Sequence, residues 1–214
     1  MYQPAAFTED RPEVLHDLIR THPLGLLVSA GAQGLIADSI PFLMYADEGE
    51  FGTLRGHLAR ANPHGPALRD VDDCLVAFTG PQGYITPSWY AAKAEHGKVV
   101  PTWNYAAVQV WGKPRVIDDA AWLRRLVADL TNSQELRLPA PWAVEDALAD
   151  FIDGMLRAIV GVEIPIRRIE GKFKMSQNRA MPDRVGVVNG LRALGADSEA
   201  LAALVAQRGD VPDA

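Results

Sequence analysis

The chain is poor in several things that would each announce a function. Among its 214 residues it has one cysteine, Cys74, so no internal disulfide is possible. The apolar setting Cys74-Leu75-Val76-Ala77-Phe78 predicts a buried thiol, which suits a reducing compartment. The longest apolar stretches, such as 24–32, are far too short to span a bilayer. The N-terminus lacks a basic segment followed by an apolar core, so no signal peptide is expected and the cytoplasm is the predicted location. Basic charge is also short: 21 Lys and Arg against 27 Asp and Glu give a net charge of −6. That balance argues against a general nucleic-acid surface, which needs clustered cations. No Gly-x-Gly-x-x-Gly opens a helix after a strand, which leaves a doubly wound dinucleotide fold without support. Neither His-Glu-x-x-His nor a Cys/His cluster is present, and the five histidines are scattered, so no metal site is expected. Gly-x-Ser-x-Gly is missing as well, and no catalytic nucleophile or base is assigned.

What is present is concentrated. Six of the ten Trp and Tyr residues lie between Tyr84 and Trp111. They interleave with Thr, Ser and Asn in Tyr84-Ile85-Thr86-Pro87-Ser88-Trp89-Tyr90 and Val100-Pro101-Thr102-Trp103-Asn104-Tyr105. Such rings serve as core, but with polar neighbours and irregular backbone at Pro87 and Pro101 they also suit the wall of a pocket for a flat, heteroatom-rich ligand. Ser88 and Trp89 are weaker candidates for a substrate pocket. A second cluster, Lys172-Phe173-Lys174-Met175-Ser176-Gln177-Asn178-Arg179, mixes cations with amide and hydroxyl donors. It fits ring carbonyls, ribityl hydroxyls or phosphate, or else a charged surface with a cap at Ser176. A third block, Arg55-Gly56-His57-Leu58-Ala59-Arg60-Ala61-Asn62-Pro63, places Arg55 and His57 on one strand face. Arg60 stands before a possible helix start, where free N–H groups favour an anion. Solvated arginines on an exposed strand are the alternative. Together these segments point to a planar, anionic small molecule.

The order of elements predicts an antiparallel barrel. A helix is expected after Asp10, with Val14, Leu15, Leu18 and Ile19 on its apolar stripe. Short strands follow: 24–30, a turn at 31–34, then 36–45 with Pro41 at an edge or bulge, and 51–58. A short helix over 61–71 is expected next. A hairpin at Gly80-Pro81-Gln82-Gly83 joins strands 74–79 and 84–86, 91–100 is a loop, and 103–117 forms one strand or two. Two amphipathic helices then span 119–132 and 144–159, the second with Leu148, Phe151, Ile152, Met155 and Ile159 on one face. A strand at 162–169 precedes helices beginning near Asp183 and Ser198, and 210–214 is expected to fray. Hairpin-linked short strands favour a barrel over a βαβ sheet.

Five ordered blocks make the chain resemble the PaiB-type FMN-binding regulators, also called FMN-binding negative transcriptional regulators. These are Met1-Tyr2-Gln3-Pro4-Ala5-Ala6-Phe7, the 56–63 block, the 84–90 and 100–105 tracts, and Lys174-Met175-Ser176-Gln177-Asn178-Arg179. The resemblance runs from Met1 to about Leu194. Met175 stands where the family has Leu. It implies a mainly β, α+β fold: an antiparallel FMN-binding split barrel with flanking helices. A barrel domain over 1–180 would include the inserted helices, and 181–214 would form a C-terminal helical appendage. It implies homodimers with FMN at the interface. Arg55, His57, Arg60 and Asn62 would hold the phosphate, with Trp103, Asn104, Tyr105, Lys174, Ser176, Gln177 and Asn178 around the ring system. The functions implied are a regulatory or sensing flavoprotein, with a flavin-dependent oxidoreductase as the alternative. A haem-binding split barrel using His57 or His96 is a lesser one. DNA binding is implied by the family name, but the charge does not support it.

Overall fold

The computed structural model describes residues 1–32 and 34–212. In chain order its first elements are β1 (Thr8–Glu9), α1 (Pro12–Thr21), β2 (Leu24–Gly31), β3 (Gly34–Pro41), β4 (Leu43–Tyr45) and β5 (Thr53–Ala59). The middle of the chain adds α2 (His64–Ala67), β6 (Cys74–Ile85), α3 (Ala92–His96), β7 (Thr102–Gly112) and β8 (Arg115–Ile117). The remainder is α4 (Ala120–Glu135), α5 (Ala149–Arg157), β9 (Ile159–Lys174), α6 (Met181–Ala193) and α7 (Glu199–Arg208). The strands follow the order β3-β2-β6-β7-β9-β5-β4, with β1 and β8 also pairing with β9. This is the antiparallel arrangement that the hairpin spacing predicts, with the flanking helices of the split barrel that the family resemblance implies.

The chain divides into two compact units. The first comprises Met1–Arg11, Thr79–Val108 and Glu170–Ala214; the second comprises Pro12–Phe78 and Gln109–Ile169. Strands β6, β7 and β9 each contribute one part to each unit.

In the second unit, period-two alternation turns Gly25, Leu27 and Ser29 inward from β2 and leaves Leu24 and Leu26 exposed. Phe42 and Phe78 meet edge to face, with centroids 6.0 Å apart. The Asp119 carboxylate caps α4 through the Trp122 N–H, as a cap residue should. Gly161 has no side chain because one would lie 2.2 Å from the Trp122 ring. In the first unit α6 and α7 pack their Val187, Leu191, Leu201 and Val205 inward.

Several expectations need correcting. The hairpin at 80–83 does not exist; β6 runs unbroken through it. Among the described residues, pairing with β2 stops at Leu26 opposite Ala77, so Pro81 lies in the part of β6 beyond that pairing. Residues 91–100 are not all loop: α3 forms and ends where Gly97 takes φ 66° and returns its N–H to Ala92 O. The helix expected over 144–159 is shorter, and Leu148, Phe151 and Met155 face outward while Ile152 and Leu156 fill a cluster with Leu123 and Val144. Asp183 lies inside the first turn of α6 rather than before it. The turn at 31–34 includes Gln33, and the tail includes residues 213–214; both lie outside the described residues.

Candidate functional site

The three predicted blocks form two local environments, one in each unit. In the second unit, Arg55 and His57 share a face of β5, as alternation requires. Arg55 is already engaged. Its Nε donates to Glu163 at 2.9 Å, and its two Nη atoms donate to Glu48 at 3.1 and 2.6 Å. Its guanidinium also lies 4.4 Å from the Tyr45 ring centroid. Burial opposes its charge, but the two glutamates outweigh burial and raise its pKa. Arg60 is as fully occupied. It donates to both oxygens of Asp118 at 2.7 Å and to the carbonyls of Arg157 and Ile159. Four of its five N–H bonds are therefore taken.

The N–H groups expected to greet an anion are also used. Arg60 N donates to Ala158 O, Asn62 N to Ala59 O, and His64 N to the Asn62 side-chain oxygen. The helix that follows has only four residues, too short for a useful dipole. His57 differs from its neighbours: its Nδ1 is buried with no hydrogen-bond partner among the described residues. Burial lowers its pKa and favours the neutral ring.

The second unit also holds a chain that sequence reasoning missed. Ser29 Oγ lies 2.9 Å from His64 Nε2, and His64 Nδ1 lies 2.7 Å from Asp38 Oδ2. The order matches a catalytic triad, but Ser29 is 3% exposed and His64 fully buried, so no substrate reaches the hydroxyl. It ties β2 and β3 to α2. The three residues are spread over 35 positions with no motif; only the inward phase of Ser29 on β2 hinted at it.

In the first unit the cations are placed differently. Asn104, fully buried on β7, donates its amide to Ser176 Oγ at 2.9 Å. Ser176 takes φ 63°, a left-handed conformation that a non-glycine residue holds only when its surroundings enforce it. Gln177 folds back on its own turn, accepting from Met175 N and donating to Phe173 O. Asn178 stays exposed. Lys174 Nζ donates to the Thr102 hydroxyl, and Lys93 Nζ donates to Ser88 Oγ at 3.1 Å. The Arg179 guanidinium lies 4.5 Å from the centroid of the Tyr90 ring. Among the described residues, none of these three cations has a carboxylate partner.

Trp103 is half exposed, meets Tyr84 edge to face at 6.3 Å and donates its indole N–H to Gln82. Tyr105 has the Lys172 ammonium 5.5 Å from its ring centroid. Trp89 packs on α6, where Gly186 and Gly190 make room for it. Exposed donors, cations without counter-charges and a half-exposed indole are what a planar anionic ligand needs.

Residues 1–168 match the family described as "Putative FMN-binding domain". The chain belongs to the PaiB-type FMN-binding family. An uncharacterized protein of Emericella nidulans is 36% identical over 249 aligned positions, covering 100% of this chain and 99% of that one. Protease synthase and sporulation protein PAI 2 of Bacillus subtilis is 30% identical over 194 positions, covering 90% of this chain and 89% of its own. Among solved structures, the FAD and heme binding protein from Mycobacterium smegmatis superposes with a TM-score of 0.55 at 19% identity. It covers 78% of this chain and 73% of that one, a likeness of fold alone. FMN is the cofactor of this family member. No helix among the described residues is long and apolar enough to cross a membrane.

The donor set of the first unit fits FMN. Lys174, Asn178 and Arg179 offer positive charge and amide groups, Trp103 offers a ring, and the Asn104–Ser176 bond fixes the turn that carries them. When bound, FMN supplies the electron-transfer chemistry; the protein's part is to hold and orient it.

Proposed function

We propose that this chain is a regulatory flavoprotein whose FMN is held non-covalently by the segments Thr102–Tyr105 and Lys174–Arg179. The carrying observation is that, among the described residues, Lys93, Lys174 and Arg179 meet hydroxyls and a ring face and no carboxylate, in a chain of net charge −6. Cations without a counter-charge carry positive potential that attracts an anion. Trp103, Asn104, Tyr105, Ser176, Gln177 and Asn178 belong to this site. The regulatory part of the reading leans on the name of the sporulation protein PAI 2. The acidic charge speaks for action through a protein or the flavin's redox state rather than through DNA.

The test is the visible spectrum of the purified protein after FMN is added and the excess removed, followed by mixing with NADH or NADPH. Retained flavin bands that neither nicotinamide bleaches are the expected result. Bleaching by either would favour the flavin-dependent oxidoreductase. A colourless protein would remove the cofactor assignment, and a Soret band would favour haem.

The same reading includes a homodimer. On the outer face of the β2–β3 hairpin, Leu24, Leu26 and Leu35 are 63%, 42% and 78% exposed. Register places Leu26 beside Ser39 and Ala77, and Val28 beside Ala37 and Leu75. An uncharged sheet face of this kind favours a second copy of itself across a two-fold axis. Sedimentation should give a dimer for the natural chain and a folded monomer for Leu26→Glu.

A further inference from the structure

Helix α6 carries, one after the other, two side chains that hold the loops of the proposed cofactor site. Asp183, 4% exposed, accepts the N–H of Ala92 at 3.0 Å, at the start of α3. Arg184 spreads its guanidinium over three backbone carbonyls. Its Nε donates to Arg179 O at 2.7 Å, Nη2 to Gln177 O at 2.8 Å and Nη1 to Gly209 O at 2.7 Å. Two of these carbonyls lie in the turn that presents Ser176, Asn178 and Arg179; the third closes the end of α7. On the same helix, Gly186 and Gly190 accommodate Trp89: an added Cβ would lie 1.9 Å from the Trp89 carbonyl oxygen and 2.3 Å from its indole, respectively.

We propose that Arg184 is a positioning residue for FMN, fixing the Lys174–Arg179 turn in its binding shape without touching the cofactor. The inference rests on the FMN reading above. The physical reason is the turn's own strain. Ser176 sits in the left-handed region, held by the Asn104 bond, by the turn's own Gln177 and Arg179 N–H bonds, and by the carbonyls that Arg184 anchors on its C-terminal side. Guanidinium is the one side chain that reaches three divergent acceptors in a fixed plane; an ammonium is a point donor on a flexible stem. Arg184→Lys therefore keeps the charge and releases the turn.

The experiment compares natural protein, Arg184→Lys and Leu156→Ala, the last a cavity in the separate cluster under α5. Each is measured for FMN affinity, for thermal midpoint without FMN, and for amide exchange over residues 174–179. Arg184→Lys should bind FMN about tenfold or more weakly, with faster exchange in 174–179. Leu156→Ala should lower the thermal midpoint and leave both other readouts unmoved. A merely structural arginine predicts that the two variants behave alike, with affinity unchanged in both. Arg184→Lys binding within about twofold of the natural protein, or unchanged exchange in the turn, overturns the proposal. If Arg184→Lys does not fold, Arg184→Gln is read in the same way. Failure of the natural protein itself to bind FMN is a different result; it removes the cofactor reading and this inference with it.

Discussion

The second unit and the first treat their cations in opposite ways. In the second, Arg55 faces two glutamates, and Arg60 grips an aspartate and two carbonyls. In the first, Lys93, Lys174 and Arg179 lean on hydroxyls and a tyrosine ring. Both sets look alike in sequence: a few basic residues beside Ser, Asn and aromatics. On the proposed reading, the difference teaches that an anion site is marked less by where arginine and lysine occur than by what fails to neutralise them. A saturated guanidinium has few donors left to offer, and an ammonium bonded to a hydroxyl still carries its charge toward the ligand.

The contrast is open to direct attack. The largest effect should come from Gly186→Ala in the first unit. Its Cβ would press into the Trp89 backbone, and backbone cannot step aside as a side-chain tip can. A loss of about 2 kcal/mol or more is expected in denaturant unfolding; a neutral result would mean that Trp89 is not seated on α6. Next, Asn104→Ala deletes the buried partner of the Ser176 hydroxyl, at about 1–3 kcal/mol, and should abolish FMN retention. Arg60→Ala, in the second unit, should leave FMN affinity within about twofold because its donors are already spent. The reverse ranking in equilibrium binding would place the anion site in the second unit instead.

Acid should separate the units as well. Burial holds His16 and His57 below the ordinary histidine value of 6.5. Their contribution is complete above that pH and is lost as the pH falls below it, because the fold favours the neutral rings. Glu9, in the first unit, is held down to about 2 from 4.5 by hydrogen bonds from Arg11, against its burial and with help from Arg208. Its contribution is complete above about pH 4.5 and fades only toward pH 2. Amide protection followed down a pH series should fail first in residues 12–78. Glu9→Gln should remove the later phase from residues 1–11. First loss in the Glu9 region would sink the idea. The smallest effect is the mirror of the first: Gly154→Ala in α5, where the nearest atom is 3.8 Å away, should stabilise by about 0.5–1 kcal/mol.

The sequence by itself determined the strand phases, the antiparallel barrel and the three polar blocks. Each is a local property: alternation, the close spacing of short strands, or a run of neighbours. It also carried the family through five ordered blocks. Only the tertiary structure decided which blocks stay electrostatically open, because Arg55 is neutralised by Glu163, 108 positions away, together with Glu48 from the loop before its own strand, and Arg60 by Asp118, 58 positions away. It decided that Leu148, Phe151 and Met155 turn outward, since helical periodicity gives a stripe but not the neighbour it meets. It joined Ser29, Asp38 and His64 into a buried chain, and gave Arg184 three carbonyls from two separate segments. Backbone acceptors leave no trace in residue identity, so no reading of side chains along the chain could have found them.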